Sequence, residues 1–284
     1  MFLTKKLTKN LPKQMDNIQA IVLAIVEGLT EFLPVSSTAH MIFTSSIFGI
    51  QEDEFVKMFQ VSIQFGAILA VVATYWKKFF DFTNLKFYTK LLVAVIPALV
   101  LGKLFDDKIE AVLEKPVPIA IVLIIGGIVL LFIDRFFKSS RIDNEQDVTT
   151  KNAVTIGFWQ CLAMMPGTSR SAASIIGGMQ QGLSMRMAAE FSFFLAVPTM
   201  LAVTCYSVFL KDWEYNGVEQ KGFQMIMESN NLLLFIIGNI VAFIVAIIAI
   251  KFFINVLKKY GFKMWGWYRI VLGIVFIVYY SYIK

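Results

Sequence analysis

The sequence contains little charge, cysteine or histidine, and each shortage narrows the kind of protein that it encodes. Only 16% of its 284 residues are charged, against about 25% in ordinary soluble domains, while 57% are hydrophobic. The two cysteines, Cys161 and Cys205, lie in apolar surroundings, so we predict neither a disulfide framework nor a zinc site. His40 is the single histidine. The formal charge of +6 comes without a long basic face or a recognition motif, so we expect no nucleic acid partner.

Long apolar runs take the place of the missing charge. A helix needs about 20 apolar residues to cross the hydrocarbon of a bilayer, and several runs in this chain approach or reach that length. Hydropathy and loop charge predict an all-α, polytopic membrane protein with six spanning helices, surrounded by membrane lipids. We interpret the many Phe residues as lipid-facing bulk. The predicted spans are residues 55–76, 91–104, 117–133, 191–210, 232–257 and 267–283.

Two further regions, residues 18–48 and 153–183, are apolar but are broken in the middle by Pro, Ser, Thr and charged residues. The loop at 77–90 has four Lys and one Asp, and residues 258–263 form another basic cluster, so we predict that both are cytoplasmic. The loop at 211–231 is acidic on balance and is predicted to be outside. Each broken region must then enter and leave on the same side, which predicts two re-entrant helical hairpins from opposite faces.

The lysine-rich N-terminus precedes an apolar stretch and so resembles a secretion signal. Glu27 interrupts that stretch and no small-residue cleavage site follows it, so we expect the segment to be retained. The loop count places this segment outside, against the usual cytoplasmic preference of lysine. The later loops carry more charges, and they decide the predicted topology.

The two broken regions also resemble each other. Residues 34–37 and 166–169 share a Pro-x-x-Ser pattern, and a long apolar helix follows each after a similar interval. Together with the opposite entry faces, this predicts an inverted-topology repeat whose broken helices build a site near the midplane. We place the first repeat at residues 18–133 and the second at 153–257, within a single membrane domain of residues 1–284.

The first polar motif reads EGLTEFLPVSSTAH and runs from Glu27 to His40. Glu27 and Glu31 lie on one face of a helix, and within lipid such a pair needs a cation, a proton or water. The alternative is a helix end at the membrane surface with solvated carboxylates. Ser36 or Ser37 can cap the next half-helix, whose free N–H groups form an anion site. Ser37 and His40 are three apart, so an imidazole there can serve a hydroxyl or a phosphate oxygen.

The second motif reads PGTSRSAAS. Thr168 or Ser169 can cap a helix whose first turn holds Arg170. Arg170 cannot lose its proton, so at membrane depth it needs an anionic partner, and its planar fork suits a phosphate. The alternative is a structural ion pair with Glu27 or Glu31. Both interpretations bring the two motifs together.

The two motifs resemble the paired signatures of the undecaprenyl-diphosphate phosphatase family, also called the bacitracin-resistance family. The segments FQVSIQFGAILAVV, residues 59–72, and AAEFSFFLAVPTM, residues 188–200, are similar to that family too, so the resemblance covers nearly the whole chain. The family usually has Gly where this chain has Ala39, and commonly Gly and Thr where it has Ala172 and Ser174.

This resemblance implies a bacterial inner-membrane enzyme that removes one phosphate from undecaprenyl diphosphate, recycles the lipid carrier for cell-wall synthesis and confers bacitracin resistance. It implies an inverted-repeat fold, an active site open to the outer face, and dependence on a divalent cation, Mg²⁺ or Ca²⁺. Carboxylate and diphosphate oxygens are ligands suited to such ions. A homodimer is an assembly that we also consider. The functional residues implied are Glu27 and Glu31, which would also hold the metal, with Ser37, His40 and Arg170.

We form the hypothesis that Arg170 and the two half-helix N-termini hold the diphosphate while Glu27 and Glu31 hold a metal ion. Ser37 would attack the terminal phosphorus, with His40 or a Glu as the general base. His40 itself or a metal-bound water are the alternative nucleophiles. The residues expected to bind the substrate are Ser36, Thr38, Thr168, Ser169, Ser171, Ser174 and Gln64, the last of which is equally a candidate for a purely structural hydrogen bond.

A transporter or flippase of an anionic polyprenyl lipid is the alternative function. Inverted repeats with broken helices are typical of transporters, and such a protein would use the same anion site without chemistry. The presence of a candidate nucleophile and base favours hydrolysis, because an anion carrier has little use for paired carboxylates.

Overall fold

The computed structural model describes residues 14–81, 85–113, 115–137, 141–228 and 230–282. The N-terminal lysines of the segment that we expect to be retained lie outside these ranges. Within them the chain is mainly helical, with one two-stranded β-hairpin. The helices are α1 (Asn17–Thr30), α2 (Ser37–Phe48), α3 (Glu54–Ser62), α4 (Gln64–Thr74), α5 (Trp76–Phe79), α6 (Leu85–Leu113), α7 (Pro116–Phe136), α8 (Thr150–Gln160), α9 (Arg170–Gln180), α10 (Met185–Cys205), α11 (Gly222–Met227), α12 (Asn231–Tyr260) and α13 (Lys263–Tyr282).

Six helical segments of the described chain are long and apolar enough to cross a bilayer, which confirms the predicted polytopic membrane protein. The first of them is not one continuous helix, because α3 and α4 meet at Ile63. The Ser62 hydroxyl donates to the Met58 carbonyl, a contact that bends helices. The segments are Glu54–Thr74, Leu85–Phe105, Pro116–Phe136, Met185–Leu210, Asn231–Leu257 and Lys263–Tyr282.

The two broken regions each form a pair of short helices, as predicted. The first region contains α1 and α2, with 14 and 12 residues, and the second contains α8 and α9, with 11 residues each. None of the four is long enough to cross a bilayer alone, because a crossing needs about 20 residues. Their re-entrant course stays a prediction, and it agrees with these lengths.

The centre of the largest hydrophobic core is α10, which packs against α4, α6 and α9. Phe191, Phe193 and Phe194 of this helix are fully buried, and Phe32 packs edge-on against Phe193. The interpretation of the Phe residues as lipid-facing bulk is therefore wrong for this helix. The reason is tertiary: α10 is surrounded by other helices, and composition alone does not distinguish a protein neighbour from lipid.

The helices pack across the two predicted repeats in matching pairs. The first arm of the first broken region, α1, packs against α12, while the first arm of the second region, α8, packs against α6. The helix that ends the first repeat, α7, packs along its length against α13, which follows the second repeat. This is the pattern that an internal repeat produces. The repeat boundaries remain a prediction.

Two glycines allow close contacts between helices, Gly66 between α4 and α12 and Gly157 between α8 and α6. A Cβ atom on Gly66 would lie 2.2 Å from the Asn239 carbonyl oxygen, and one on Gly157 would lie 2.2 Å from the Ala94 carbonyl oxygen. We expect Gly157→Ala to destabilise the protein by about 1–3 kcal/mol, the usual cost of overpacking, measured as thermal unfolding in detergent. Gly102→Ala is the matched control, since its Cβ would meet only the Met164 side chain at 3.8 Å. Equal unfolding temperatures for the two variants would contradict this account.

A β-hairpin lies in the acidic loop between α10 and α12. After the π-helical turn Tyr206–Leu210, β1 (Asp212–Tyr215) pairs with antiparallel β2 (Val218–Lys221). Asn216 and Gly217 both have positive φ, as a tight hairpin turn requires, and Asn-Gly is the strongest sequence signal for such a turn. The charge of this segment predicted only an outside loop, and the hairpin was not predicted.

Candidate active site

The first turn of the site joins α1 to α2. It runs through residues 31–36, and Ser36 is the N-cap of α2, which confirms one of the two predicted caps. Ser36 has φ of 69°, a left-handed conformation that is uncommon outside glycine. Its side chain accepts a long bond of 3.5 Å from the Ala39 N–H. The tight turn directs Ser37, the first residue of α2, back towards the end of α1.

Glu31 connects the two motifs. The Ser37 hydroxyl donates to Glu31 Oε2 at 2.6 Å, and Arg170 Nη2 donates to Glu31 Oε1 at 2.6 Å. The side chains of Glu31 and Arg170 are only 4% and 9% exposed, so solvent screens this ion pair weakly. The prediction that the two motifs meet is confirmed, and the pair is the structural alternative considered for Arg170.

The second turn, between α8 and α9, lies directly against the first. Ser169 is the N-cap of α9, as the sequence predicted, and accepts from the Ala172 N–H. The hydroxyls of Ser169 and Ser171 both donate to the carbonyl of Leu33 in the first turn, at 3.2 and 2.8 Å. Two of the serines expected to bind substrate therefore join the turns in this structure.

Unsatisfied polar atoms mark the centre of the site. Glu27 is fully buried, and neither of its carboxylate oxygens has a hydrogen-bond partner. The Nε–H of Arg170 also lacks one. Glu31 and Arg170 are the charged groups that act on Glu27, the first repelling and the second attracting it. A buried, unpaired carboxylate costs several kcal/mol, so this position requires a proton or a cation.

Both ring nitrogens of His40 have partners other than Ser37. Nδ1 lies 2.8 Å from the Ser36 carbonyl oxygen, and because a carbonyl only accepts, Nδ1 carries the hydrogen. Nε2 lies 2.8 Å from the Tyr268 hydroxyl oxygen, within hydrogen-bond distance. The structure thus places the imidazole beside the strained Ser36 backbone, while Glu31 is the partner of the Ser37 hydroxyl.

The remaining predicted residues are less directly involved. The Ser174 hydroxyl contacts Ser192 Oγ at 2.7 Å and the Arg170 carbonyl at 2.9 Å. Thr38, Thr168 and Gln64 are half-buried, and none of the three has a side-chain hydrogen bond to another candidate residue in the described part of the chain. Their role in binding stays a prediction.

Three residues near the site, Ser192, Tyr268 and Arg269, were not predicted from the sequence. Arg170 Nη1 donates to the Ser192 carbonyl at 3.1 Å, Tyr268 contacts His40, and Arg269 donates to carbonyls in both turns. Arg269 could have been predicted, because a charged residue within a predicted span needs polar partners, as Arg170 does. Serine and tyrosine are common in membrane helices and gave no comparable signal.

The protein supplies only some of the ligands that a hard divalent cation would need at this site. The described residues contain no group of three or more His, Cys, Asp and Glu that could hold a metal ion. Glu27 offers two free oxygens, and Glu31 keeps accepting capacity beyond its present bonds. Magnesium typically binds one or two carboxylates and completes its shell with water and phosphate oxygens, which is what this donor set allows.

Fold and site together define a polytopic membrane protein in which two interrupted helical regions meet and bring Glu27, Glu31 and Arg170 together in a buried cluster. The profile of the family described as "Bacitracin resistance protein BacA" matches residues 20–275. The chain belongs to that family.

Similar proteins include three named undecaprenyl-diphosphatase. The one from Flavobacterium psychrophilum is 55% identical over 267 residues, covering 93% of this chain and 96% of the relative. That from Porphyromonas gingivalis is 48% identical over 281 residues, with the same coverage. That from Campylobacter jejuni is 44% identical over 270 residues, covering 94% of this chain and 96% of the relative.

Proposed function

We propose that this protein hydrolyses undecaprenyl diphosphate to undecaprenyl phosphate and inorganic phosphate. This reaction recycles the lipid carrier for cell-wall synthesis and confers bacitracin resistance. The names of the similar proteins support undecaprenyl diphosphate as the substrate. Their high identity to this chain, over nearly the full length of both, supports assigning the same activity to it. The observation that carries the proposal is the buried juxtaposition of Glu27, with two unpaired oxygens, and Arg170, with an unpaired Nε–H.

Arg170 is the group that recognises the terminal phosphate. In the absence of substrate its guanidinium is neutralised by Glu31 and anchored by the Ser192 carbonyl. A diphosphate carries more negative charge than a carboxylate and accepts two parallel N–H bonds, so it competes with Glu31 for this fork. The free N–H groups at the start of α2 and α9 add further donors. Substrate binding therefore separates Glu31 from Arg170.

Glu31, once released, is placed to act as the general base for Ser37. Its Oε2 already accepts the Ser37 hydroxyl hydrogen bond at 2.6 Å, within the range needed for proton transfer. The Ser37 oxygen forms a bond to the terminal phosphorus, its proton goes to Glu31, and the bond to the bridging oxygen breaks, which releases undecaprenyl phosphate. Glu31 passes that proton to the departing undecaprenyl phosphate. Water then attacks the phosphoserine, Glu31 takes its proton and returns it to the Ser37 oxygen as the bond between that oxygen and phosphorus breaks, which releases inorganic phosphate and restores both residues. Arg170 stabilises the charge on the phosphoryl oxygens in both steps.

Glu27 and Glu31 would hold the divalent cation, Mg²⁺ or Ca²⁺, which when bound neutralises the phosphate oxygens. We expect the ion to raise the unfolding temperature of the wild-type protein. A ligand present at about 100 times its dissociation constant increases the free energy of unfolding by about 2.7 kcal/mol. Glu27→Gln should abolish that rise, since it keeps the shape and removes the charge. Glu54→Gln is the control, because Glu54 lies on α3 and pairs with Lys57. An equal rise in all three proteins would place the ion elsewhere.

The proposed location is the bacterial inner membrane, with the site open to the outer face. The loop charges support this orientation, since the Lys-rich loop at 77–90 is expected inside and the acidic loop at 211–231 outside. We also propose the inverted relation of the repeats 18–133 and 153–257, which the matching packing of α1 on α12 and α8 on α6 supports. We also propose a homodimer, which a measurement of the molecular mass of the purified protein in detergent would test.

Phosphate release from the purified protein in detergent tests the function. The substrate is undecaprenyl diphosphate, and the assay is run with and without a chelator. Release that the chelator abolishes is the expected result. No release under any metal condition, combined with binding of the lipid, would instead favour the transporter or flippase.

A further inference from the structure

Arg269 makes an unusual set of contacts beneath the candidate site. It lies on α13, is 1% exposed, and donates from all three of its guanidinium nitrogens to backbone carbonyls. Nη1 binds the Pro34 oxygen at 3.2 Å, Nη2 binds the Gly167 oxygen at 2.9 Å, and Nε binds the Leu123 oxygen at 3.2 Å. One side chain therefore contacts the first turn, the second turn and α7.

The position of this guanidinium is specified by its surroundings. Its hydrogen-bond partners among the described residues are carbonyls, which do not neutralise its charge. Without these three carbonyls, burial of the charge would cost several kcal/mol. Gly126 of α7 leaves the space that it occupies, because a Cβ there would lie 2.1 Å from Arg269 Nη2. A residue used only for helix packing would need neither a charge nor this opening.

The two turns that Arg269 contacts carry the reacting groups. Pro34 lies between Glu31 and Ser37, and Gly167 lies just before Arg170. The neighbouring residue on α13, Tyr268, contacts His40, which in turn contacts the Ser36 carbonyl. Adjacent residues of α13 thus hold the first turn at two carbonyls: Arg269 binds that of Pro34 directly, and Tyr268 acts through His40 on that of Ser36.

We propose that Arg269 is a positioning residue of this site: it holds the two turns in register so that Glu31 and Ser37 of one turn meet Arg170 of the other. This role rests on the proposed function for its effect on catalysis, but the geometry that it maintains can be measured without substrate. Arg269 does not contact the reacting groups themselves. Its loss acts through their placement, and a displacement of about 1 Å in such a site can reduce turnover about 100-fold.

The first measurement is hydrogen–deuterium exchange of the full-length protein in detergent, without ligand, comparing wild type, Arg269→Lys and Arg135→Lys. A lysine keeps the charge but cannot reach three separate carbonyls. We expect exchange in Arg269→Lys to rise by about tenfold or more in both turns, at residues 31–38 and 165–171. Arg135→Lys, at an exposed position on α7, should match wild type. Unchanged exchange in either turn, or a rise confined to α7 and α13, would overturn the proposal.

The second measurement is the kinetics of phosphate release from undecaprenyl diphosphate. Arg269→Lys should lower kcat about 100-fold with little change in KM, because the binding groups remain and their alignment is lost. Gly126→Ala displaces the same guanidinium and should reproduce both effects, which keeps the proposal testable if Arg269→Lys does not fold. Wild-type kcat in both variants would refute it. Absence of phosphate release from wild type would refute the proposed function alone, since exchange still decides whether Arg269 holds the turns.

Discussion

Arg170→Lys should lower kcat/KM for phosphate release by about 10³-fold, and Arg170→Ala by more. Arginines that stabilise a transferring phosphoryl group contribute about 10³–10⁵-fold to the rate. Lysine retains the charge but lacks the planar guanidinium with its several N–H donors. It therefore cannot keep the hydrogen bond to the Ser192 carbonyl and also donate two parallel hydrogen bonds to the phosphate. The measurement is steady-state phosphate release in detergent with saturating divalent cation.

The control for this prediction is Arg186→Lys. Arg186 pairs with Glu190 on the same helix, its side chain is 66% exposed, and the pair lies outside the site. Lysine keeps a positive charge beside the buried Glu190, which Lys78 also contacts, so this substitution should change kcat/KM less than about fivefold. Arg170→Lys with wild-type activity would remove the proposed phosphate recognition. The ion pair with Glu31 would then be purely structural.

Ser37→Ala should reduce turnover by at least about 10³-fold, because removal of a nucleophile that acts together with its base eliminates most of the chemical step. Substrate labelled with ³²P in the terminal phosphate should leave label on wild-type protein after a quench in SDS at neutral pH, which preserves both phosphoserine and phosphohistidine, and none on the variant. Ser45→Ala is the matched control. It removes a buried hydroxyl from the same helix, one that donates only to the Ile42 carbonyl.

The two readouts of this experiment separate the possible nucleophiles. Loss of both turnover and label in Ser37→Ala supports covalent catalysis by Ser37. Wild-type turnover in Ser37→Ala would contradict it and leave His40 or a metal-bound water as the attacking group. Label on the wild-type protein that survives in Ser37→Ala would point to His40.

The sequence was most informative where a polar residue stood in an apolar segment. Glu27, Glu31 and Arg170 were identified in this way, and the structure brings all three together. The same rule was not applied to Arg269, although it lies in a predicted span. The caps at Ser36 and Ser169 were also predictable, because an N-cap depends on residue type and on the few residues around it.

The partners of individual groups were less predictable. Helical spacing placed His40 beside Ser37, but Ser37 is the first residue of α2 and follows a left-handed Ser36, so its hydroxyl points to Glu31. Three-residue spacing describes neighbours within a helix and says nothing of what lies across a turn. Tyr268 is more than 200 positions from His40 along the chain, and no local pattern connects them.

Composition and residue spacing were enough to predict that the chain lies in lipid, that six helices span it, that two regions are interrupted, and that three charged residues need partners. These properties depend on the transfer cost of each segment into lipid, which composition and spacing fix locally. Three other features depend on how the helices pack: Glu31 is the shared partner of Ser37 and Arg170, Phe-rich α10 is central, and Arg269 joins the two turns. Hydrogen bonds require separations near 3 Å, and which distant groups reach that separation depends on the packing of the whole helix bundle.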